Sequence, residues 1–425
     1  MNYEEAVAYI SDTPKFTKKN TLAHTRDFLK RLGEPQQGRK IVHIAGTNGK
    51  GSVCAYIQAM LQAGGKTTGL CISPHLVTMN ERIVINGQMI SDDDFLSVFH
   101  EVMEVVEKMR REGVSHPTFF EFLFGMAMTA FARADVEYLI LETGLGGRLD
   151  ATNSIEHPTV CGITEIGLDH TQWLGHTIEQ IAGEKAGIIK KDVPVFYLDG
   201  AKDSNRVIEK QAEKMQAPCK KISKSAYEFR ESDRKHIAFS AVNAYYEDTT
   251  WTLDNIGRYQ ADNAMMALEI MRCLMKEEKQ LEKWESALAG VRWAGRMEEI
   301  LPGVYVDGAH NISAIEAFTD TVPENPEGNL VLFSAVADKD YEHMIAYLCT
   351  HMEADAYVIT PIEDKRRANA AVLGNLFRQY TQCPVVVKDT LEEAIECLLD
   401  NQKGRTIYCL GSLYLTGMIK EYFSR

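Results

Sequence analysis

The sequence predicts an α/β protein of two domains: a larger N-terminal one on a parallel sheet with a small antiparallel excursion, and a smaller C-terminal α/β one. Three observations carry this. The 425 residues exceed what one compact core ordinarily supports. Short β-branched runs alternate with stretches of helical period along most of the chain. The runs are almost continuously apolar, as parallel strands covered on both faces require.

Candidate strands fall at 41–45, 138–142, 160–164, 193–198, 305–307, 330–334, 356–360, 385–388 and 406–410. Ser91 and Asp94 have capping-box spacing and open a helical stripe of Phe95, Val98, Phe99, Val102, Val105, Val106 and Met109. The segment 202–254 breaks the rhythm. It is polar, with short alternating pieces at 236–242 and 250–253, and is expected to form the antiparallel excursion. A helical pattern at 261–275 follows, then the Gly- and Pro-punctuated stretch 290–303, after which the alternation restarts. The boundary is therefore placed at Gly295, giving domains of 1–295 and 296–425.

Composition excludes several classes. Lys plus Arg is 46 against 60 for Asp plus Glu, a formal charge of −14. A protein that grips nucleic acid or an anionic membrane over a broad face needs the opposite sign, so neither partner is expected. No apolar run approaches the roughly eighteen residues of a membrane span. The acidic opening MNYEEAVAYI lacks the order of a secretion signal. Nine cysteines without a CxxC pair read as reduced thiols in the cytoplasm.

The most informative segment is the strand 41–45 followed by Gly46, Thr47, Asn48, Gly49, Lys50, Gly51 and Ser52. A helix with Val53, Ile57, Met60 and Leu61 on its apolar face comes next. Glycines let backbone N–H groups converge on phosphate oxygens, the helix N-terminus adds partial positive charge, and Lys50 adds a point charge. The strict GxxxxGK[ST] pattern is not met, since Ile44 stands at the first glycine and Gly51 separates Lys50 from Ser52. Phosphate binding is expected.

Other strand ends carry acids and histidines. Glu142 closes an apolar strand and precedes a second glycine-rich loop, a place suited to a Mg²⁺ ligand. Asp169 and His170 follow the strand 160–164. His170 by itself fits a structural role as well as a functional one, and His43, His100 and His351 are given no role. Thr177 and Gln180 have capping-box spacing. The helix they open places Lys185 on the stripe of Ile178, Ile181, Ala182, Ile188 and Ile189. Burial disfavours an ammonium. Lys185 either snorkels to water or stands as a functional amine near the phosphates. Asp307, Gly308, Ala309, His310 and Asn311, and likewise Gly411 and Ser412, end strands of the second domain. They are turns, or they line an interdomain cleft.

Taken together, these residues resemble the folylpolyglutamate synthase/dihydrofolate synthase family, a branch of the Mur ligase superfamily. The likeness runs from about 9 to 417. It rests on HIAGTNGKGS (43–52), SPHL (73–76), ERI (81–83), TFFEF (118–122), ETGLGGRLDATN (142–153), GLDHTQWLG (167–175), EKAGIIK (184–190), GRYQADNA (257–264), GRME (295–298) and DGAHN (307–311).

The resemblance implies a P-loop ATPase domain, a Rossmann-like C-terminal domain, and ATP-driven joining of L-glutamate to a folate or dihydropteroate carboxyl. It implies that Gly46, Thr47, Asn48, Gly49, Lys50, Gly51 and Ser52 bind ATP, with Asn263, Arg296 and Asp307. Ser73, Glu142 and His170 are implied to hold two Mg²⁺ ions, with Lys185 carried as a carbamate. Arg82, Thr118, Phe119, Phe120 and Glu121, and Leu149, Asp150 and Ala151, match the folate region; His310 and Ser412 match the glutamate region. Lys50, Lys185, His170 and His310 are the catalytic set. Phe119 stands where the family often has Tyr, and Gly308 precedes Ala309 in DGAHN.

A monomer is expected. The rivals are another Mur-type amino-acid ligase and a P-loop switch without ligase chemistry. Peptidoglycan-type relatives carry a further domain before the phosphate loop, where 45 residues stand here. Strand-end motifs in both domains weigh against a simple switch.

Overall fold

The computed structural model describes residues 1–14, 20–232, 235–246, 249–276 and 280–424. Its largest sheet has eight strands in the spatial order Gln88–Met89, Ile83–Ile85, Thr68–Cys71, Tyr138–Glu142, Lys40–Ala45, Val160–Ile163, Val195–Leu198 and Cys219–Ile222. The last six run parallel, and the first two fold back antiparallel. Helices cover both faces, which is why the strand sequences read as unbroken apolar runs. On one face Val42 and Ile44 pack against helices Lys50–Ala63 and Tyr259–Leu274. On the other, Ile41 and Leu139 meet helices Asp92–Arg111 and Phe119–Arg133.

Strand Lys40–Ala45 lies between strands that both come later in the chain, so the connections diverge at its carboxyl end. Such a point leaves a crevice where ligands bind in open α/β sheets. The phosphate loop emerges there.

The helix caps follow the sequence. Ser91 caps Asp92–Arg111, and the expected stripe is buried except for half-buried Val105. Thr177 caps Ile178–Ala186, but the full box does not form: Gln180 Oε1 accepts from the His176 N–H instead. That helix ends at Ala186, so buried Ile188 and Ile189 lie beyond it, and Ile178 is only half-buried.

The excursion is shorter than expected. Residues Lys202–Lys214 form an amphipathic helix, and Cys219–Ile222 extends the main sheet in parallel. Only three buried residues mark that helix among its polar ones, and the edge strand exposes three of its four residues, so neither leaves an apolar run to read. The antiparallel sheet comprises Tyr227–Ser232, Ile237–Ala241 and Thr250–Leu253.

The C-terminal sheet has the order Glu298–Leu301, Val304–Val306, Thr406–Leu410, Asn329–Phe333, Ala356–Ile359 and Val385–Val387, all parallel except the first. The two domains press the loop at Leu76 against the last helix, Leu413–Ser424. A Cβ on Gly417 would lie 2.1 Å from the Leu76 carbonyl oxygen, so only glycine admits this approach. Gly417→Ala is expected to destabilise the protein by about 1–3 kcal/mol through overpacking, seen as a lower denaturant midpoint. An unchanged midpoint would show the contact to be loose.

Candidate active site

Gly46 and Gly49 are held at positive φ (153° and 85°), and each sits where a side chain has no room. A Cβ on Gly46 would meet Thr164 Oγ1 at 1.7 Å, and one on Gly49 would meet Asn263 Oδ1 at 2.3 Å. The loop therefore lies flat against its neighbours before helix Lys50–Ala63 begins. Lys50 Nζ donates to the Thr47 carbonyl (3.2 Å) and lies 3.8 Å from Glu142 Oε1. Glu142 Oε2 accepts from the Ser73 N–H (2.9 Å). Burial raises the Glu142 pKa, against the pull of Lys50 and that N–H. Among the described residues the buried hydroxyls of Ser52 and Ser73 have no hydrogen-bond partner, which suits a ligand that completes them.

Lys185 is buried and donates to the Gly46 carbonyl (2.7 Å), so it does not snorkel. Burial, helped by the charge of Lys50, pushes its pKa down to about 7. Beside it, His170 is in the left-handed region at φ 50°. Burial lowers its pKa to about 4, against the attraction of Asp169.

The second domain closes the cleft. Asn311 Nδ2 donates to Asn48 Oδ1 (3.0 Å) and to Asp169 Oδ2 (3.1 Å), and Asn48 Nδ2 returns a bond to Asn311 Oδ1 (3.2 Å). Lys339 pairs with Asp169 Oδ1, and His310 Nε2 lies 3.5 Å from Oδ2. Burial alone would raise the Asp169 pKa, but the hydrogen bond to His310 and the charge of Lys339 hold it well below the usual range. Asp169 and Asn311 stood in the strand-end motifs of the sequence without a role of their own, and Lys339 was not among the candidates. The signal for Lys339 was available: Asp338, Lys339 and Asp340 follow the strand Asn329–Phe333 at the same end of its sheet as the other site loops.

A cavity of about 100 Å³ lies in the cleft. Residues 46–52, Ser73, Glu142, His170, Lys185, Arg296 and His310 line it, as expected together. Other expected residues stand behind or beside it. Asn263 is buried under Gly49 and donates to Gln260 Oε1 (3.0 Å). Asp307 is buried and accepts from the Tyr259 hydroxyl (2.9 Å) and the N–H groups of Met297 (2.9 Å) and Ala309 (2.8 Å). Ser412 is buried and its Oγ accepts from the Tyr414 N–H (3.2 Å), while Leu413 reaches the cleft.

The expected folate residues form two groups. Thr118 and Glu121 make the capping box of helix Phe119–Arg133, and Glu121 Oε2 also accepts from Asn20 Nδ2 (2.8 Å). Phe119 lies under the Arg82 guanidinium, 5.4 Å from ring centre to Arg82 Cζ, and Phe120 packs on Gly144 of the cleft. Arg82 Nε donates to His75 Nδ1 (2.7 Å). Leu149 is exposed, and Asp150 and Ala151 are buried. Among the described residues no three His, Cys, Asp or Glu side chains cluster as a metal site.

A parallel-sheet phosphate loop facing a second α/β domain across a polar cleft is the arrangement of an ATP-dependent amide ligase of the Mur type. The Mur ligase middle domain matches residues 44–271, and the Mur ligase glutamate ligase domain matches residues 295–413. The dihydrofolate synthase/folylpolyglutamate synthase of Bacillus subtilis (strain 168) is 37% identical over 359 residues, 82% of this chain and 83% of that one. Mycobacterium tuberculosis folylpolyglutamate synthase complexed with ADP superposes with a TM-score of 0.90 at 26% identity, covering 100% of this chain and 98% of that one. E. coli FolC in complex with DHPP and ADP does so at 0.85 and 27%, covering 100% and 98%. The chain belongs to the folylpolyglutamate synthase/dihydrofolate synthase family. No helix among the described residues is long and apolar enough to cross a membrane.

Proposed function

We propose that this ligase adds L-glutamate to the carboxyl of a folate, with dihydropteroate as a second acceptor, through an acyl phosphate. The observation that carries the reading is one cleft in which Lys50, Glu142 and Lys185 of the first domain face Arg296 and His310 of the second. The domains divide at Gly295, as 1–295 and 296–425.

Residues 46–52 hold the triphosphate of ATP, with Asn263 and Asp307 shaping the walls and Arg296 contributing charge. An acceptor carboxylate and a phosphate repel by roughly 4 kcal/mol per pair of unit charges about 4 Å apart at an effective dielectric of 20. Lys50 offsets this and stabilises charge on the transferring phosphoryl group. Arg82, Phe119, Phe120, Thr118 and Glu121, with Leu149, Asp150 and Ala151, form the acceptor side. His310 and Ser412 belong to the glutamate side, where the deprotonated amine attacks the acyl carbon and phosphate departs. Closure of the cleft keeps water from the acyl phosphate.

The orphaned hydroxyl of Ser73, the carboxylate of Glu142, the neutral His170 imidazole and the buried Lys185 amine suit a pair of Mg²⁺ ions, which usually bind through few protein ligands plus phosphate. When bound, Mg²⁺ supplies charge neutralisation at the phosphates. The amine of Lys185, once carbamylated, becomes an anion able to join that set. We further propose a monomer in the cytoplasm, in keeping with nine free thiols.

The test incubates the protein with ATP, labelled glutamate and each acceptor in turn, and weighs the products. Acceptor plus one glutamyl unit, formed with stoichiometric ADP, is expected. ATP turnover that requires a different amino acid would move the chain to another Mur-type ligase.

A further inference from the structure

His43 has no part in the chemistry described above. It sits on the central strand Lys40–Ala45, fully buried, on the face it shares with apolar Ile41 and Ala45. A buried imidazole is unfavourable unless its nitrogens are used.

One of them is. Nε2 lies 2.8 Å from Thr152 Oγ1, with Thr143 Oγ1 at 3.3 Å. The Thr152 hydroxyl donates to Asp150 Oδ1 (2.7 Å). Since its proton is committed to the carboxylate, the hydroxyl oxygen accepts, and the Nε2–H tautomer of His43 is the donor. Burial, reinforced by the charge of Lys190, pushes the ring's pKa down to about 3, so His43 stays neutral and the direction of the chain does not change near neutral pH. Nδ1 has no hydrogen-bond partner among the described residues. The ring thus supplies its directed bonds from one nitrogen, at the expense of the other.

The far end of the chain is fastened twice more. Asp150 Oδ1 accepts from the Thr152 N–H (3.1 Å), and Oδ2 accepts from the Leu145 N–H (2.9 Å) beside the cleft. His43 therefore ties the turn carrying Leu149, Asp150 and Ala151 to the strand that launches the phosphate loop.

We infer that His43 is a positioning residue for the acceptor: through Thr152 it orients Asp150, and with it the surface on which the folate or pteroate is seated. The inference rests on the acceptor reading given under Proposed function. It predicts a specific kinetic split, because the turn of Leu149, Asp150 and Ala151 that the chain orients carries acceptor contacts, while the ATP and glutamate contacts lie outside that turn.

Steady-state kinetics on four variants test it, with folding checked by circular dichroism. His43→Leu and Thr152→Val are each expected to raise the acceptor KM by about tenfold, with the KM values for ATP and glutamate within about twofold. His43→Gln keeps an N–H donor at similar reach and is expected to return the acceptor KM to within about threefold. His43→Leu combined with Thr152→Val should be no worse than the more damaging single change, since both cut one chain. An unchanged acceptor KM in folded His43→Leu and Thr152→Val overturns the inference, as does an ATP KM that rises in step with the acceptor KM. Should His43→Leu fail to fold, the acceptor KM of Thr152→Val decides alone. Asp150→Asn separates the two levels. If it leaves the acceptor KM unchanged, the acceptor reading fails. If it raises the acceptor KM while His43→Leu and Thr152→Val do not, the role of His43 alone fails.

Discussion

Lys50→Ala is expected to lower acyl phosphate formation by about a thousandfold or more, the scale on which removing a preorganised charge at a transferring group acts. Lys50 is the cation at the mouth of the phosphate loop, tethered among the described residues only by the Thr47 carbonyl and the more distant Glu142. That light tether leaves it free to follow the phosphoryl group, and its loss removes little packing. The fold should survive, so the effect is readable as chemistry. Trapping the acyl phosphate with hydroxylamine in a single turnover measures it directly. Trapped product within tenfold of the unaltered protein would mean that the charge is supplied from elsewhere in the cleft. Lys50→Arg is not expected to rescue fully, because a planar fork cannot replace a compact point charge in a loop with so little room.

The second large effect concerns Lys185. Its replacement by alanine is expected to reduce ligase turnover by about a hundredfold or more, with partial recovery in the presence of a small carboxylic acid that occupies the vacated place. In the unaltered protein, ¹³C-bicarbonate should yield a carbamate resonance that Lys185→Ala lacks. Only the free amine reacts with CO₂. The folded pKa of about 7 lies below the ordinary 10.5, so the amine is protonated below about 7, and carbamylation should fall as pH drops through that value. The stability consequence has a definite sign. Between about 7 and 10.5 the unfolded chain binds a proton at Lys185 that the folded chain does not, so the uncarbamylated protein gains stability as pH rises through that window. Absence of any labelled carbon on Lys185 in bicarbonate at alkaline pH would remove the carbamate from the mechanism.

Much of the fold could be read before any coordinates. The apolar runs at Tyr138–Glu142 and Thr406–Leu410 form strands with the expected bounds, and Ser91 and Thr177 cap the helices they were expected to open. The strands that escaped notice are short. Thr68–Cys71 begins Thr-Gly, Ile83–Ile85 and Gln88–Met89 have three and two residues, and Glu298–Leu301 is half acidic. Each is held by backbone pairing with a neighbouring strand, a cause that lies outside its own residues.

The site divides along the same line. The phosphate loop, Glu142 at a strand end and Lys185 on an apolar stripe were legible because each is a local pattern of a few residues. The cross-domain contacts were not. Asn48 and Asn311 are 263 positions apart, Asp169 and Asn311 142, and Asp169 and Lys339 170. His43 was given no role from the sequence, and the structure buries it in the central strand. Its bond to Thr152 spans 109 positions, and that distance is what conceals its use.

By itself the sequence determined which segments become strands and helices, where helices start, and what chemistry stands at each strand end. These depend on backbone preferences and side-chain periods that operate within one turn or one strand. Only the tertiary structure decided that Lys185 is buried against Gly46 instead of reaching water, that Asp169 is held by the second domain, and that His43 points at Thr152. Desolvation and hydrogen-bond partnership are properties of the space between distant segments, and that space exists only once the sheets have assembled.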